Sequence, residues 1–316
     1  FQNAKIVKVD QEQYLLTQLP LDKSLSYSYS SLVRTPVKRV AMTSTTYLPA
    51  LELLKKQKTL IGFQGKHYIV SKSFDLLAIR NLSYKFNSED LLGLKADLIM
   101  GYEANLIGEG QRKILKKLNL PVVLNKDFEE DGPLGRAEWI VFTASFFDQE
   151  EEAIKIFRAI EENYLKIKNE NEPRKRKKVI VGNIQSGKWV TCGGLSDLGL
   201  MIKDAGGEMA LTRPSTKTQT LNLEEILLKK NLYDVWLTHN MWENEKERIE
   251  AMTHDPRYDA IKANVVYNNN LVINENKSSD YWEMALQRPD LLLKDLSAII
   301  QTEFYPRHQL RWYRKL

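Results

Sequence analysis

After residue 36 the chain settles into short apolar runs separated by stretches of helical periodicity. Before that point apolar and polar residues alternate in places, as KIVKV, YLLTQL and SYSYSSLV, which predicts a strand or two at the N-terminal end. Strands are expected at VKRVAM (37–42), TLIGF (59–63), DLIMG (97–101) and PVVLN (121–125). Helices are expected between them at LPALELLKKQ (48–57), SEDLLGL (88–94) and EGQRKILKKLN (109–119). Strands alternating with helices at this spacing indicate a parallel α/β sheet. A second series follows with KKVIVGN (177–183), SDLGLMIKDAGG (196–207), NLEEILLKK (222–230), DVWLTH (234–239) and AIKANVVYNN (260–269). Gly206 and Gly207 stand where a left-handed cap would end the helix at 196–205.

The two series share a phrase. NSEDLLGLKAD (87–97) and NLEEILLKKNLYD (222–234) both open with Asn, place paired acids two and three residues later, and close on Lys and Asp before an apolar run. Each is the helix preceding a late strand of its own lobe, which argues for duplication. Between the series lies DQEEEAIKIFRAIEENYLKIKN (148–169), where Asp148 and Glu151 resemble a capping box. Acids fill its first turns, Lys its last, and Ala153, Ile156, Phe157, Ile160 and Tyr164 share one face. A helix of that length reaches roughly 30 Å, enough to cross from one small lobe to another. The expected fold is α/β, two Rossmann-like lobes with parallel-rich sheets joined by one long interlobe α-helix. The boundaries are 1–147 for the N-terminal lobe, 148–170 for the helix and 171–316 for the C-terminal lobe.

Composition narrows the function. At 316 residues two domains are expected, and 43% hydrophobic with 28% charged residues is ordinary for a globular chain. The net charge of +5 is small, and the basic run PRKRKK (173–178) has no aromatic platform beside it. It reads as a solvated lobe boundary after Pro173, with no nucleic-acid partner. A single cysteine, Cys192, excludes an internal disulfide and a Cys-cluster metal site. His67, His239, His254 and His308 show no paired ligand spacing, so no metal site and no cofactor are expected. No run of 18 apolar residues is present. A chain opening at FQNAKIVKVD suits a mature or trimmed exported protein. GxGxxG after a strand, GxxxxGK[ST], GxSxG and HExxH are all missing, and no catalytic residues are assigned. VGNIQSGK (181–188) lacks phosphate-loop glycine spacing and reads as a loop at a ligand cleft.

Ligands of open parallel sheets sit beyond the carboxyl ends of the strands. In the first lobe those ends carry Thr45, Thr46 and Tyr47 of TSTTY, then Tyr102 and Glu103, then the loop to Arg136. In the second they carry Lys188, Trp189, His239, Asn240, Trp242 and Asn269. These hydroxyls, amides, aromatics and cations predict an extended polar ligand held by stacking and hydrogen bonds in the interlobe cleft. Arg136 stands at a helix start, where a cation opposes the dipole unless an acid or anion is near. Trp139 and Trp282 read as core, and TSTTY also suits a helix start.

RVAMTSTTY, NSEDLLGLKADLIMGY, DGPLGRAEWI, SGKWVTCGGLSDLGLMIKDAGG, VYNNN and DYWEMALQRPDLLLKDL together resemble the periplasmic substrate-binding proteins of ABC importers for iron chelates and cobalamin. The resemblance spans about residues 37–316, and PLGRAEWI with DYWE and RPDLLLKDL resembles the Bacteroidetes-type branch. TCGGLSDLG departs from that branch at Cys192 and Leu195. The resemblance implies two lobes on a single helix, a ferric siderophore-like chelate as ligand, an inner-membrane ABC permease as partner, and a monomer. It implies a periplasmic location, either lipid-anchored through an N-terminal segment absent from this chain or free in the periplasm. It also implies one docking acid per lobe for permease arginines, which falls on Glu89 and Glu224, with Asp90 and Glu225 adjacent. Cobalamin, another corrinoid or haem is the alternative ligand. Outside the class stand a surface capture or adhesion protein and a two-lobed enzyme, a glycosyltransferase or a chelatase using His239 with Glu103.

Overall fold

A computed structural model describes residues 4–19, 28–83, 88–102, 115, 117–118, 120–172, 175–227, 233–254, 257, 261 and 263–316. The expected helix at 109–119 lies almost wholly outside the described residues, as do Glu103, Pro173 and the side chains of Asp90 and Glu225. The chain divides into two compact units, Phe1–Glu129 with Glu138–Arg158, and Glu130–Ala137 with Ala159–Leu316.

In the first unit, β1 (Ala4–Val9) and β2 (Glu12–Thr17) form an antiparallel hairpin, and β3 (Ser31–Arg34) runs parallel to β2. A five-stranded parallel sheet follows, made of β4 (Val40–Met42), β5 (Leu60–Gln64), β6 (Arg80–Leu82), β7 (Leu98–Gly101) and β8 (Val122–Leu124) in the order β6-β5-β4-β7-β8. All of β4 is buried, because helices such as α1 (Leu48–Leu53) cover a parallel sheet from both faces. Each fully buried Val or Leu here contributes about 1.5–3 kcal/mol. The expected helix at 48–57 ends early, where Lys55 takes a positive φ. α2 (Ser88–Leu94) matches the expected SEDLLGL helix. The small sheet is tied in by the Tyr14 hydroxyl, which accepts the Leu124 N–H at 3.0 Å.

α3 (Pro133–Ser145) opens in the second unit and closes in the first, so Glu130–Ala137 packs with the unit that the sequence reading did not assign it to. α4 (Glu150–Asn171) spans the unit boundary at Arg158 and Ala159. Ala153, Ile160, Tyr164, Ile167 and Asn171 are its buried stripe, while Ile156 and Phe157 are half-buried. Asp148 is not its cap. The first helical bond runs from Ala153 N–H to Gln149 O, and Asp148, at φ 54°, instead holds Lys5 at 2.8 Å. That pairing keeps the Asp148 carboxyl below its usual range although burial acts the other way.

The second unit repeats the plan with β9 (Lys177–Val181), β12 (Gly207–Met209), β14 (Tyr233–Thr238) and β15 (Ala263–Asn268) parallel, and β16 (Arg314–Lys315) antiparallel, in the order β12-β9-β14-β15-β16. β10 (Asn183–Gln185), β11 (Lys188–Thr191) and β13 (Gln219–Leu221) form a separate antiparallel sheet. VGNIQSGK therefore opens a hairpin, β10 with β11, rather than an irregular loop. Ser186 and Gly187 both have positive φ, as a two-residue turn between twisted strands requires. α5 (Asp197–Asp204) is capped by Ser196 and ends at Gly206, φ 80°, as its sequence predicts. The helices α6 (Leu223–Leu227), α7 (Glu245–His254), α8 (Met284–Gln287) and α9 (Pro289–Ile300) complete the unit. Arg176 of the basic run donates to Lys203 O and Gly207 O, so this cation is a structural tie.

The echoed phrase has a shared structural role. Asp97, just before β7, accepts the N–H groups of Lys38 and Arg39 at 3.0 Å through one oxygen, pinning the start of β4. Asp234, in β14, accepts the Lys178 N–H at 2.8 Å and pins β9 in the same way. Both acids stand one residue before equivalent pairs, Val40 with Leu98 and Val179 with Val235. Asp97→Ala is expected to lower unfolding free energy by about 1 kcal/mol, since charge-assisted bonds at a half-exposed edge are worth less than buried ones. Chemical denaturation checks this, and an unchanged midpoint would remove the clamp.

Candidate functional site

The carboxyl ends of the parallel strands supply the candidate groups of each unit. In the first unit β4 leads to Thr43, whose buried hydroxyl finds no hydrogen-bond partner among the described residues. Ser44 then caps a helical turn over Thr45–Tyr47 by accepting the Thr46 N–H. Thr45 and Thr46 are half-buried. Tyr47 was expected at the ligand but is a core residue, enclosed beside Met42 and Leu48, with its hydroxyl on Asn125 O at 3.2 Å. Tyr102 follows β7 half-exposed and meets the exposed Phe128 edge-on at 5.8 Å.

In the second unit β14 delivers His239 and Asn240, and β15 delivers Asn268–Asn270. The three Asn side chains divide their work. Asn268 donates to Asn240 O and to Trp242 O, the latter at 2.9 Å, and Asn270 donates to Trp242 O at 2.8 Å. These bonds staple the loop after β14 to the end of β15. Asn269 instead lies beside His239, and the His239 Nδ1 and the Asn269 Nδ2 are enclosed without a well-formed hydrogen bond among the described residues. Burial pushes the His239 imidazole below its usual pKa, against the opposing Asn269 amide, so the ring is neutral at pH 7.

Trp189 and Trp242, expected as stacking platforms, are enclosed in a core cluster with Trp236. The Trp189 indole donates to Val181 O at 2.9 Å, which fixes it inside. Lys188 lies exposed on β11. Trp139 is half-buried against the first core, as expected. Trp282 reverses its expectation and is 49% exposed. It occupies one turn of helix with Tyr281, and successive residues of such a turn point about 120° apart. Tyr281 takes the core side, which leaves Trp282 outside, edge-on to it at 4.9 Å and 5.7 Å from the His239 ring. That one-turn geometry, with Ser279 as cap, is the signal that sequence reasoning passed over.

Arg136 joins this group from the first turn of α3. Asp197, the first residue of α5, lies 4.0 Å from its guanidinium and supplies the acid that a cation at a helix start requires. Arg136 and Asp197 both act electrostatically on the Tyr281 hydroxyl, as does Cys192, while burial raises the Tyr281 pKa above its usual value. Burial also raises the Cys192 thiol, which suits packing rather than nucleophilic chemistry. Among the described residues no cluster of His, Cys, Asp and Glu could hold a metal ion, and no helix is long and apolar enough to cross a membrane.

Glu89 and Glu224 are each the second residue of a short helix, α2 and α6, and both are exposed. Each helix precedes the strand that pairs with the first strand of its parallel sheet, β7 beside β4 and β14 beside β9. The two acids therefore hold equivalent positions in the two units.

This architecture is that of a solute-binding protein, and residues 40–272 match the model of the periplasmic binding protein family. The chain belongs to that family, whose members are substrate-binding proteins of ABC importers rather than enzymes. It is 24% identical over 315 residues to an uncharacterised lipoprotein of Methanocaldococcus jannaschii, covering 90% of this chain and 70% of that one. Two solved structures share the fold. One is a possible iron-binding periplasmic solute-binding protein of Staphylococcus epidermidis, at TM-score 0.61 and 18% identity over 83% of this chain and 98% of the other. The second is a periplasmic haem-binding protein of Pseudomonas aeruginosa, at TM-score 0.61 and 14% identity over 88% and 98%.

Proposed function

We propose that the protein captures a ferric siderophore-like chelate and delivers it to an inner-membrane ABC permease, acting as a monomer outside that membrane. The observation that carries this reading is the equivalent placing of Glu89 and Glu224, one exposed acid in the same position of each unit. A two-fold permease presents the same surface twice, so a carrier with one carboxylate per unit matches it. The lipoprotein relative supports a lipid anchor on a segment preceding Phe1.

The ligand groups we assign are Thr45, Thr46 and Tyr102 in the first unit, and Arg136, Lys188, His239, Asn240 and Asn269 in the second. None needs to bind a bare metal. A chelate brings iron already coordinated and asks the protein for hydrogen bonds and charge. Titration with ferric siderophores, followed by tryptophan fluorescence, is expected to give saturable quenching. Arg136→Ala is expected to weaken an anionic chelate about tenfold, the scale of one charge-assisted contact. Binding that is indifferent to this substitution would remove Arg136 from the site.

A corrinoid or haem is the second reading. A neutral imidazole, His239, beside an exposed indole, Trp282, favours it over a purely polar chelate.

A further inference from the structure

Four exposed apolar side chains stand on loops at or beside the carboxyl ends of the second unit's strands: Leu195, Met241, Val272 and Trp282. Scattered exposed apolar residues are ordinary on a protein surface. These are linked through the groups already described. Met241 adjoins Trp242, whose carbonyl is held by Asn268 and Asn270. Val272 accepts the Asp280 N–H at 3.0 Å, two residues before Trp282. Leu195 precedes the Ser196 cap and Asp197, the partner of Arg136.

The Trp282 turn is braced from behind. Asp280 accepts the Trp312 indole N–H at 2.7 Å, and Tyr281 packs edge-on against the buried Tyr313 at 5.6 Å. An exposed indole on a rigid mount loses little freedom when a flat partner stacks on it. The nearby charges of Arg136 and Asp197 oppose each other, and His239 is neutral. The four exposed side chains thus present an aromatic and soft surface.

We infer that the ligand presents a flat, uncharged conjugated ring face to this unit, with Trp282 and Met241 as the residues that select it. The inference rests on the carrier reading above and deepens it. Such a face belongs to the aryl groups of a catecholate or phenolate chelate and to a tetrapyrrole. Hydroxamate and citrate chelates lack it. Indole stacks on a conjugated ring, and the Met241 thioether makes a soft contact with a ring edge or face.

The test is equilibrium dialysis of the full chain against ferric 2,3-dihydroxybenzoylglycine, haemin, ferrichrome and ferric citrate. A ring-bearing probe is expected to bind most tightly, and which one does so identifies the source. Trp282→Ala is expected to weaken it about tenfold and Met241→Ala about threefold, the scale of one stacking and one thioether contact. The thermal midpoint should stay unchanged, since both side chains are exposed. Ferrichrome or ferric citrate binding as tightly as the ring-bearing probes overturns the inference and leaves the carrier reading standing. So does a Trp282→Ala variant whose affinity stays within twofold. If neither these probes nor cyanocobalamin binds, the carrier reading falls and the ring-face inference falls with it.

Discussion

Reversing both Glu89 and Glu224 to Lys is expected to abolish uptake while ligand affinity stays at the wild-type value. Both acids are exposed on the first turns of α2 and α6, and neither is among the groups assigned to the ligand. A lysine there faces the positive end of a helix dipole, which costs about 0.3–1 kcal/mol per site. That is too little to unfold the chain, so lost uptake with an intact thermal transition reports docking and not stability. The physical reason is steering and register. An exposed ion pair contributes about 0–1 kcal/mol alone, but one carboxylate from each unit gives a two-fold partner two matching contacts. Reversal turns both attractions into repulsions, so the double variant should lose far more than either single one. Glu→Gln at both sites should reduce uptake less than Glu→Lys, because repulsion is not introduced. Normal uptake by the reversed double variant would contradict the docking assignment.

The second large effect is on stability and reaches the site indirectly. Asp295 is fully buried on α9, and one of its oxygens accepts the Arg311 N–H at 2.8 Å and the Trp312 N–H at 3.0 Å. Its other oxygen meets His308 Nε2 at 2.7 Å. Asp295→Ala leaves these enclosed groups without an acceptor, and a loss of about 3–5 kcal/mol is expected. Asp295→Asn keeps one acceptor oxygen for the two main-chain donors and should lose less. The segment held by Asp295 carries Trp312 and Tyr313, the brace behind Tyr281 and Trp282. A loosened brace should therefore weaken ligand binding even where the chain stays folded. Chemical denaturation measures the first effect and dialysis at a permissive temperature the second. An Asp295→Ala variant as stable as the parent would show that the tail is held by its apolar contacts alone.

Legibility in the sequence followed physical size. β4, β5, β7, β8, β9, β14 and β15 are largely apolar runs, β4 and β7 buried throughout and the others in part, and each was readable at its place. β6 was not, because a strand of three residues, Arg80–Leu82, shows only one buried side chain. β10, β11 and β13 are also short, three or four residues each, and the hairpin turn at Ser186–Gly187 reads in sequence like any polar loop. α9 is enclosed on nearly every side, so its pattern approaches a continuous apolar run and the helical period is muted. In the site, the strand-end rule placed His239, Asn240 and Asn269 correctly at carboxyl ends. It did not distinguish inward from outward aromatics. Trp189 and Trp242 turned inward because each adjoins a core cluster, and Trp282 turned outward because Tyr281 had taken the buried position. The echo of NSEDLLGLKAD in NLEEILLKKNLYD carried more than the two proposed docking acids, since its closing Asp pins the first strand of the parallel sheet in each unit.

The most direct measurement is a stoichiometric titration of the full chain with ferric chelates, a corrinoid and haemin, followed by recovery and mass analysis of the bound molecule. The carrier account predicts one ligand per chain, returned chemically unchanged. A ligand returned in altered form, or no binding by any of them, would contradict it.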